Sequence, residues 1–304
     1  MAAYISFQPT DYFKTQLYTG TGATNAQTFP QTTAMQPDFV WAKCRDAGSR
    51  NHVLTDSVRG VNSQVASNTN LVETTNTTML TSFDSDGFTL GTDSSGDINN
   101  SGDLFIAYSW KAGTSSGITT DGSTTITPSA YSFNQTAGIS ILKYTGNGVA
   151  GAKLAHGLGV IPETMWIHCL DPNADWAVYH HKMHTTPEDY YMQLNDVVGA
   201  TNSTMWNDTA PDSVNFSLGS ASNNNQDTKS YIAYCFTGKP GYSKNGIYTG
   251  NGNADGTFVY TGFRPAWVML KYSSGADQSW VMLDDKRLGY NSANWKFNAN
   301  SNAV

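Results

Sequence analysis

Apolar residues occur along the chain in short runs that are bounded by Gly, Asn, Asp, Ser and Thr. Two runs, FIAYSW from Phe105 and YIAYCF from Tyr231, are apolar at successive positions. That pattern predicts central strands that are covered on both faces. Short strands separated by turn residues at about ten-residue intervals are typical of a β-sandwich or jelly roll. No apolar run approaches the roughly 20 residues of a membrane-spanning helix.

The same motifs return three times, which indicates internal repeats. The motif YTGTG or YTGNG precedes, at a nearly constant distance, a strand-like segment that begins with a proline, here named the proline strand. The motifs begin at Tyr18, Tyr144 and Tyr248, and the prolines are Pro37, Pro162 and Pro265. The Asn-Gly pair of the motif predicts a hairpin turn, because that pair tolerates positive φ.

The repeat continues beyond the proline strand. NHVLTDSVRG from Asn51 aligns with DWAVYHHKM from Asp175 and SWVMLDDKR from Ser279. FIAYSW and YIAYCF end the first two copies and are named closing strands. The sequence therefore predicts five segments, in chain order. They are an arm at 1–15, module 1 at 16–113, a Ser/Thr/Gly-rich extended linker at 114–137, module 2 at 138–240 and an incomplete module 3 at 241–304.

Composition narrows the class of protein. Charged residues make up 13% of the chain and the net charge is −7, so the basic surface that nucleic-acid binding needs is missing. The same shortage of cations argues against a polybasic membrane-surface protein. Aromatic residues at 12% favour folded β structure over disorder. Three cysteines are too few for a disulfide framework, so we expect free thiols and synthesis in a reducing compartment.

These motifs resemble a known family. The opening AYISFQPTDYFKTQLYTG, the recurrent YTGNG, LTSFDSDGFTLG and YIAYCF look like repeat modules of virion proteins from marine tailed phages. The resemblance implies concanavalin-like or laminin-G-like jelly-roll β-sandwiches in an all-β chain. It also implies a virion context, with tail fibre or appendage as the usual assignment. It carries no catalytic residues to transfer and no cofactor.

Two clusters of polar residues are candidate sites. The HHKMH segment holds His180, His181 and His184 but lacks the Glu of a helical zinc motif, so a solvated turn is favoured. Five aspartates between Asp84 and Asp103 could bind calcium, but turn formation by Asp and Gly is the simpler interpretation. No paired carboxylates, nucleophile motif or P-loop is present, so neither catalysis nor a metal site is predicted.

Aromatic residues supply the remaining candidates. Trp41, Trp110 and Trp166 fall on predicted core strands. Other tryptophans near polar residues could stack on sugar rings, because a sugar's C–H face is apolar and its hydroxyls need polar partners. These glycan candidates are Trp176, Trp206, Trp280 and Trp295. The arm is apolar and is predicted to dock on its own module or on another virion chain. Its docking residues are Tyr4, Ile5, Phe7, Tyr12 and Phe13.

The resemblance thus implies a phage virion structural protein with a tail-fibre role in host attachment, and the residues do not predict an enzyme. A capsid decoration protein without a ligand and a glycan-degrading virion enzyme remain alternatives. The expected partners are other virion proteins through the arm, a host-surface glycan and further copies in a homo-oligomer, for which a trimer is the guess. The N-terminus lacks the pattern of a secretory signal, so assembly in the host cytoplasm is expected. The half module at 241–304 predicts either completion by a partner or a chain that continues past residue 304.

Overall fold

The computed structural model describes residues 5–30, 33–275, 277–287 and 295–304. Within these ranges the chain is all-β, as predicted, and its only helical segments are short 3₁₀ turns. These turns are Pro9–Asp11, Pro187–Asp189 and Thr204–Trp206. None of the helical segments in the described ranges is long and apolar enough to cross a membrane.

Module 1 contains nine strands in two antiparallel sheets. They are β1 (Phe13–Thr19), β2 (Asn25–Thr28), β3 (Phe39–Cys44), β4 (Val53–Asp56), β5 (Ser63–Ala66), β6 (Thr74–Thr75), β7 (Leu80–Asp84), β8 (Gly87–Leu90) and β9 (Leu104–Trp110). The larger sheet has the order β1-β9-β3-β4-β5-β6, and the smaller has the order β2-β8-β7. The closing strand β9 is central, as its two apolar faces predict.

Alternation along the strands of the larger sheet supplies two cores. On β3, Val40 and Ala42 pack in the core of module 1 with Phe88 from the smaller sheet. The intervening Phe39 and Trp41 belong to a second, larger core on the opposite face. Successive strand residues point to opposite faces, so the larger sheet of module 1 is buried on both sides.

Module 2 repeats this plan with nine further strands. They are β10 (Ala130–Asn134), β11 (Ile139–Thr145), β12 (Ala152–Ala155), β13 (Thr164–Cys169), β14 (Ala177–His180), β15 (Tyr190–Tyr191), β16 (Thr201–Asn202), β17 (Asn215–Leu218) and β18 (Ser230–Phe236). Its larger sheet has the order β10-β11-β18-β13-β14, with β12-β17 as a smaller sheet. The predicted linker is corrected here. Strand β10 lies inside it and pairs with β11, so that part of the linker belongs to module 2.

The YTGNG motif is a corner and not the hairpin that its Asn-Gly pair predicts. In module 1 the strand before it, β1, pairs with β9 in the larger sheet, whereas β2 after it pairs with β8 in the smaller sheet. The motif glycines Gly22, Gly148 and Gly252 all have positive φ, at 64°, 67° and 66°. The three copies therefore share a positive φ at this glycine, and in modules 1 and 2 the motif connects a strand of the larger sheet to one of the smaller sheet.

Module 3 has three strands in the described ranges, β19 (Trp267–Leu270), β20 (Val281–Asp284) and β21 (Phe297–Asn298). They form one antiparallel sheet in the order β19-β20-β21. By the repeat, β19 corresponds to the proline strands β3 and β13. Met282 and Asp284 are buried, whereas Val281 and Leu283 on the opposite face are only partly covered.

The larger sheets of modules 1 and 2 and the single sheet of module 3 pack against one shared core. Trp41 of module 1 meets Trp166 of module 2 edge-on at 5.8 Å between ring centroids. Trp110 of module 1 meets Trp267 of module 3 in the same way at 5.6 Å. Burial of large aromatic rings dominates core energetics, so this shared core joins the modules.

Candidate functional site

The contacts between modules, here named seams, contain buried and hydrogen-bonded ion pairs. At the seam between modules 1 and 2, Asp56 and Arg59 form an ion pair with 2.6 Å between Oδ2 and Nε, and neither side chain is exposed. The hydroxyl of Tyr234 in module 2 donates to Asp56 Oδ2 at 2.7 Å. Arg59 also donates to the Tyr234 oxygen at 3.1 Å. A fully buried ion pair of module 1 is thus hydrogen-bonded to a tyrosine of module 2.

Charge and burial act together on this group. Burial is the largest single effect on Arg59 and lowers its pKa, but Asp56, Tyr234 and Glu73 together outweigh it and raise the pKa of the guanidinium. Burial raises the pKa of Tyr234 well above its ordinary value, so the hydroxyl keeps the proton that it donates. Glu73 adds a further contact at 3.3 Å from Arg59 Nη1. Arg59 therefore stays charged and Tyr234 stays protonated over the neutral pH range.

The seam between modules 3 and 1 repeats the same geometry. Asp284 and Arg287 form a buried pair at 2.6 Å, three residues apart like their counterparts. The hydroxyl of Tyr108 in module 1 donates to Asp284 Oδ2 at 2.9 Å. Tyr108 and Tyr234 occupy the same place in the two closing strands, so these two seams use equivalent residues of the repeat.

The third seam, between modules 2 and 3, departs from this pattern. By the repeat, His180 and Met183 stand where the other modules have Asp and Arg. Burial lowers the pKa of His180 to about 4, and the neighbouring His181 acts in the same direction. His180 Nδ1 accepts the Lys182 N–H at 3.2 Å, so the neutral ring carries its proton on Nε2, which can donate to a hydroxyl oxygen.

A second ring of contacts lies beside the first. The indole of Trp176 in module 2 donates to the Ala66 carbonyl of module 1 at 3.0 Å. The indole of Trp280 in module 3 donates to the Gln193 carbonyl of module 2 at 2.7 Å. In module 1 the ring of His52 stands at the same position and meets Phe297 of module 3 edge-on at 6.0 Å. Each module thus contacts the preceding one in a closed cycle of three.

Burial separates the four glycan candidates. Trp176, Trp206 and Trp280 are buried, and their indole N–H groups are bound to backbone carbonyls. Their ring faces are packed on protein, so sugar stacking at these three does not fit their burial. Trp295 is 54% exposed and keeps an accessible ring. The core tryptophans Trp41, Trp110 and Trp166 are buried, as predicted.

The histidine cluster behaves as a turn after β14. His181 Nε2 lies 3.4 Å from the Asn245 carbonyl oxygen, and the His184 ring stacks on Tyr190 at 3.8 Å between centroids. Among the described residues no group of three or more His, Cys, Asp or Glu is placed to hold a metal ion.

The aspartates of module 1 shape turns. Asp93 is buried and accepts backbone N–H groups from Gly96, Ile98 and Asn99 at 3.1, 2.7 and 2.8 Å. Asp97 lies elsewhere and accepts the Asn51 N–H at 2.9 Å. Carboxylates that accept several local N–H groups are turn-forming groups, which agrees with the simpler sequence interpretation.

The arm packs across two parts of the chain. Phe7 meets Tyr12 at 5.0 Å and Tyr242, near the start of module 3, at 5.5 Å between centroids. Ile5 is 37% exposed and lies against Gly241. Phe13 begins β1 and contacts Trp110, so it belongs to module 1 and the predicted arm at 1–15 is too long. Tyr4 lies outside the described residues.

The three cysteines are free and buried, as predicted. Burial raises the pKa of the Cys235 thiol, which disfavours the reactive thiolate. A shallow surface hollow of about 300 Å³ lies at the third seam. Its lining includes Met183, His184 and Tyr190 from module 2 and Ser273 from module 3.

The seam residues were not predicted as a group from the sequence. Their signal was present, because D-S-V-R in module 1 returns as D-D-K-R in module 3. Both closing strands also carry Tyr at the same place. An acid and a base three residues apart that recur in two modules, together with a Tyr at the same position of both closing strands, indicate a repeated contact. The arrangement holds the modules together.

A family model described as a domain of unknown function, DUF7483, matches residues 8–304. The match covers nearly the whole chain, so the chain belongs to the DUF7483 family. Neither a curated protein nor a solved structure matches the chain.

Proposed function

We propose that this member of the DUF7483 family is a structural protein of a bacteriophage virion. Its role is that of a tail fibre or appendage that attaches to the host surface. The observation that carries the proposal is the repeat itself, whose YTGNG and YIAYCF motifs resemble modules of marine phage virion proteins. Its place of action is then the virion, after assembly in the host cytoplasm.

The finer fold assignment is part of the proposal. Each complete module sets a larger antiparallel sheet beside a smaller one, which is compatible with a concanavalin-like or laminin-G-like jelly roll. Modules fixed to one another by buried seams suit a rigid appendage. Several modules presented on one body raise avidity when each binds weakly. Assembly into a homotrimer would multiply this effect further.

The proposed activity is binding without catalysis. The two fully buried carboxylates of the seams, Asp56 and Asp284, are each bound to an Arg and a Tyr. They are therefore committed to joining modules. A glycan-degrading enzyme needs two carboxyl groups that face a sugar across a cleft. Release of reducing ends from host polysaccharide by the purified chain would favour the enzyme instead.

The glycan part of the proposal rests on Trp295. We expect the full chain to bind host-surface polysaccharide on an array. Trp295→Ala should weaken that binding about fivefold, since aromatic stacking contributes on the order of 1 kcal/mol. Leu71→Ala is the matched control, because Leu71 is 53% exposed but aliphatic, and it should leave binding unchanged. Flat binding across the array would exclude the attachment role and leave the capsid decoration alternative.

A further inference from the structure

The closing strand has a fixed place in both complete modules. β9 lies between β1 and β3, and β18 lies between β11 and β13. In module 3 the proline strand β19 pairs, within the described residues, only with β20. Its other edge therefore presents backbone N–H and C=O groups where a closing strand lies in the other two modules. Such an edge is a template for strand addition.

The first tyrosine of the YTGNG motif is more exposed in module 3 than in the two complete modules. Tyr18 and Tyr144 are buried and stack on the first aromatic residue of their closing strands, Phe105 and Tyr231, at 5.3 and 5.1 Å. Their counterpart Tyr248 is 48% exposed. Module 3 thus leaves exposed a tyrosine ring whose counterparts in modules 1 and 2 are buried against the closing strand.

Glycines of the motif give an independent indication. A Cβ on Gly20 would lie 2.0 Å from the Asn100 carbonyl oxygen, and one on Gly146 would lie 2.4 Å from that of Gln226. Both oxygens belong to the loop that leads into the closing strand. At Gly250 a Cβ would meet nothing within 4 Å. The space for that loop is also open in module 3.

The third seam supplies a polar contact for the same vacancy. Tyr234 of module 2 donates to Asp56 of module 1, and Tyr108 of module 1 donates to Asp284 of module 3. Continuing the cycle, a closing-strand Tyr on module 3 would face His180 of module 2.

We propose that the free edge of β19 is a docking site for a β-strand of a partner polypeptide with the pattern aromatic–Ile–Ala–Tyr–small–aromatic. The strand adds antiparallel to β19. Its register follows the two complete modules, where Phe39 and Thr164 face the last aromatic residue and Cys44 and Cys169 face the first. Trp267 then faces the last aromatic residue of the partner strand.

Main-chain hydrogen bonds supply affinity in this mode, and alternate side chains supply specificity. The first aromatic residue stacks on Tyr248, and the Tyr hydroxyl meets His180. A second copy of this chain is a poor donor, because β9 and β18 are central strands that are buried in their own sheets. Neither β9 nor β18 of a second copy is therefore the expected donor. This inference does not depend on the virion role.

A synthetic peptide tests the site on the full chain. The probe copies Ser230–Phe236, with Ser in place of Cys235 and terminal lysines for solubility. We expect saturable binding by fluorescence anisotropy and slowed hydrogen exchange in residues 267–272. Residues 39–44 serve as the internal control and should not change, because β9 already covers them. A peptide of scrambled order should not bind.

Backbone pairing and side-chain contact are tested separately. Leu170 N–H donates to the Ser230 carbonyl at 2.8 Å, so the even-numbered residues of β18 turn their backbone groups toward the proline strand. N-methylation of the peptide at the positions of Ile232 and Tyr234 should abolish binding. Phe at the position of Tyr234 should weaken it about fivefold, as expected for one neutral hydrogen bond. In a His180→Ala chain that fivefold difference should vanish.

Four results would overturn the proposal. One is no saturable binding up to roughly 1 mM peptide, where affinity becomes marginal. The others are protection that lies outside residues 267–272, binding that survives N-methylation, or concentration-dependent dimerisation that protects β19 without the peptide.

Discussion

The buried seam between modules 1 and 2 allows a quantitative prediction. Asp56→Asn removes the negative charge but keeps the shape, so the fully buried Arg59 loses its closest counter-ion, which lies 2.6 Å away. Breaking a buried ion pair by removing one partner costs about 3–5 kcal/mol. For a chain of 304 residues, about 4 kcal/mol corresponds to a melting temperature roughly 6 °C lower. Differential scanning calorimetry measures this directly.

The partner across the seam identifies the source of the loss. Tyr234→Phe removes one hydrogen bond to a charged group and should cost about 1.5–3 kcal/mol. The double variant should cost less than the sum of the two single changes, because both remove the same contact of 2.7 Å. Asp255→Asn is the control at an exposed carboxylate and should change stability by less than about 0.5 kcal/mol. Strict additivity, or an Asp56→Asn effect no larger than the control, would refute the claim that this contact joins the modules.

Three further outcomes are expected. Gly146→Ala places a methyl group against a backbone carbonyl and should destabilise the chain by about 1–3 kcal/mol in urea unfolding, whereas the open Gly250→Ala should be nearly neutral; equal effects would contradict the vacancy in module 3. Burial lowers the pKa of His168 to about 4. The unfolded state therefore binds more protons below pH 6.5, and the free energy of unfolding should fall as the pH drops from 6.5 to 4. His168→Gln should make the decrease in the free energy of unfolding between pH 6.5 and 4 smaller. An unchanged slope would contradict the assignment of this pH dependence to His168. A thiol reagent should label the buried Cys235 only after unfolding, so rapid labelling of the native chain, followed by mass spectrometry, would contradict its burial.

Sequence patterns predicted the all-β fold and the positions of most strands, because the repeat and the turn residues are local signals. FIAYSW predicted a central strand, and β9 and β18 are central. The prediction that the YTGNG motif forms a hairpin turn was wrong. Its Asn-Gly pair fixes the local φ but not which sheet the next strand joins, and here β2 joins the smaller sheet.

Whether a given side chain is buried or exposed was harder to predict from the sequence. Trp176 and Trp280 stand beside polar residues, which favoured a surface interpretation, yet each donates its indole N–H across a seam. Their burial depends on how modules pack, and packing between modules involves contacts far apart in the chain. The group of Asp56, Arg59 and Tyr234 was not predicted for the same reason, because Asp56 and Tyr234 lie 178 residues apart in the chain. Trp295 alone among the glycan candidates is exposed as a stacking residue must be.

Immunogold electron microscopy of purified phage particles whose genome encodes this chain tests the proposed function most directly. Antibodies against the full chain should label the tail or its appendages, and prior incubation of host cells with the purified chain should reduce phage adsorption. Label on the capsid with no effect on adsorption would contradict the attachment role and support decoration. Particles that carry no label and no peptides of the chain by mass spectrometry would contradict the virion assignment itself.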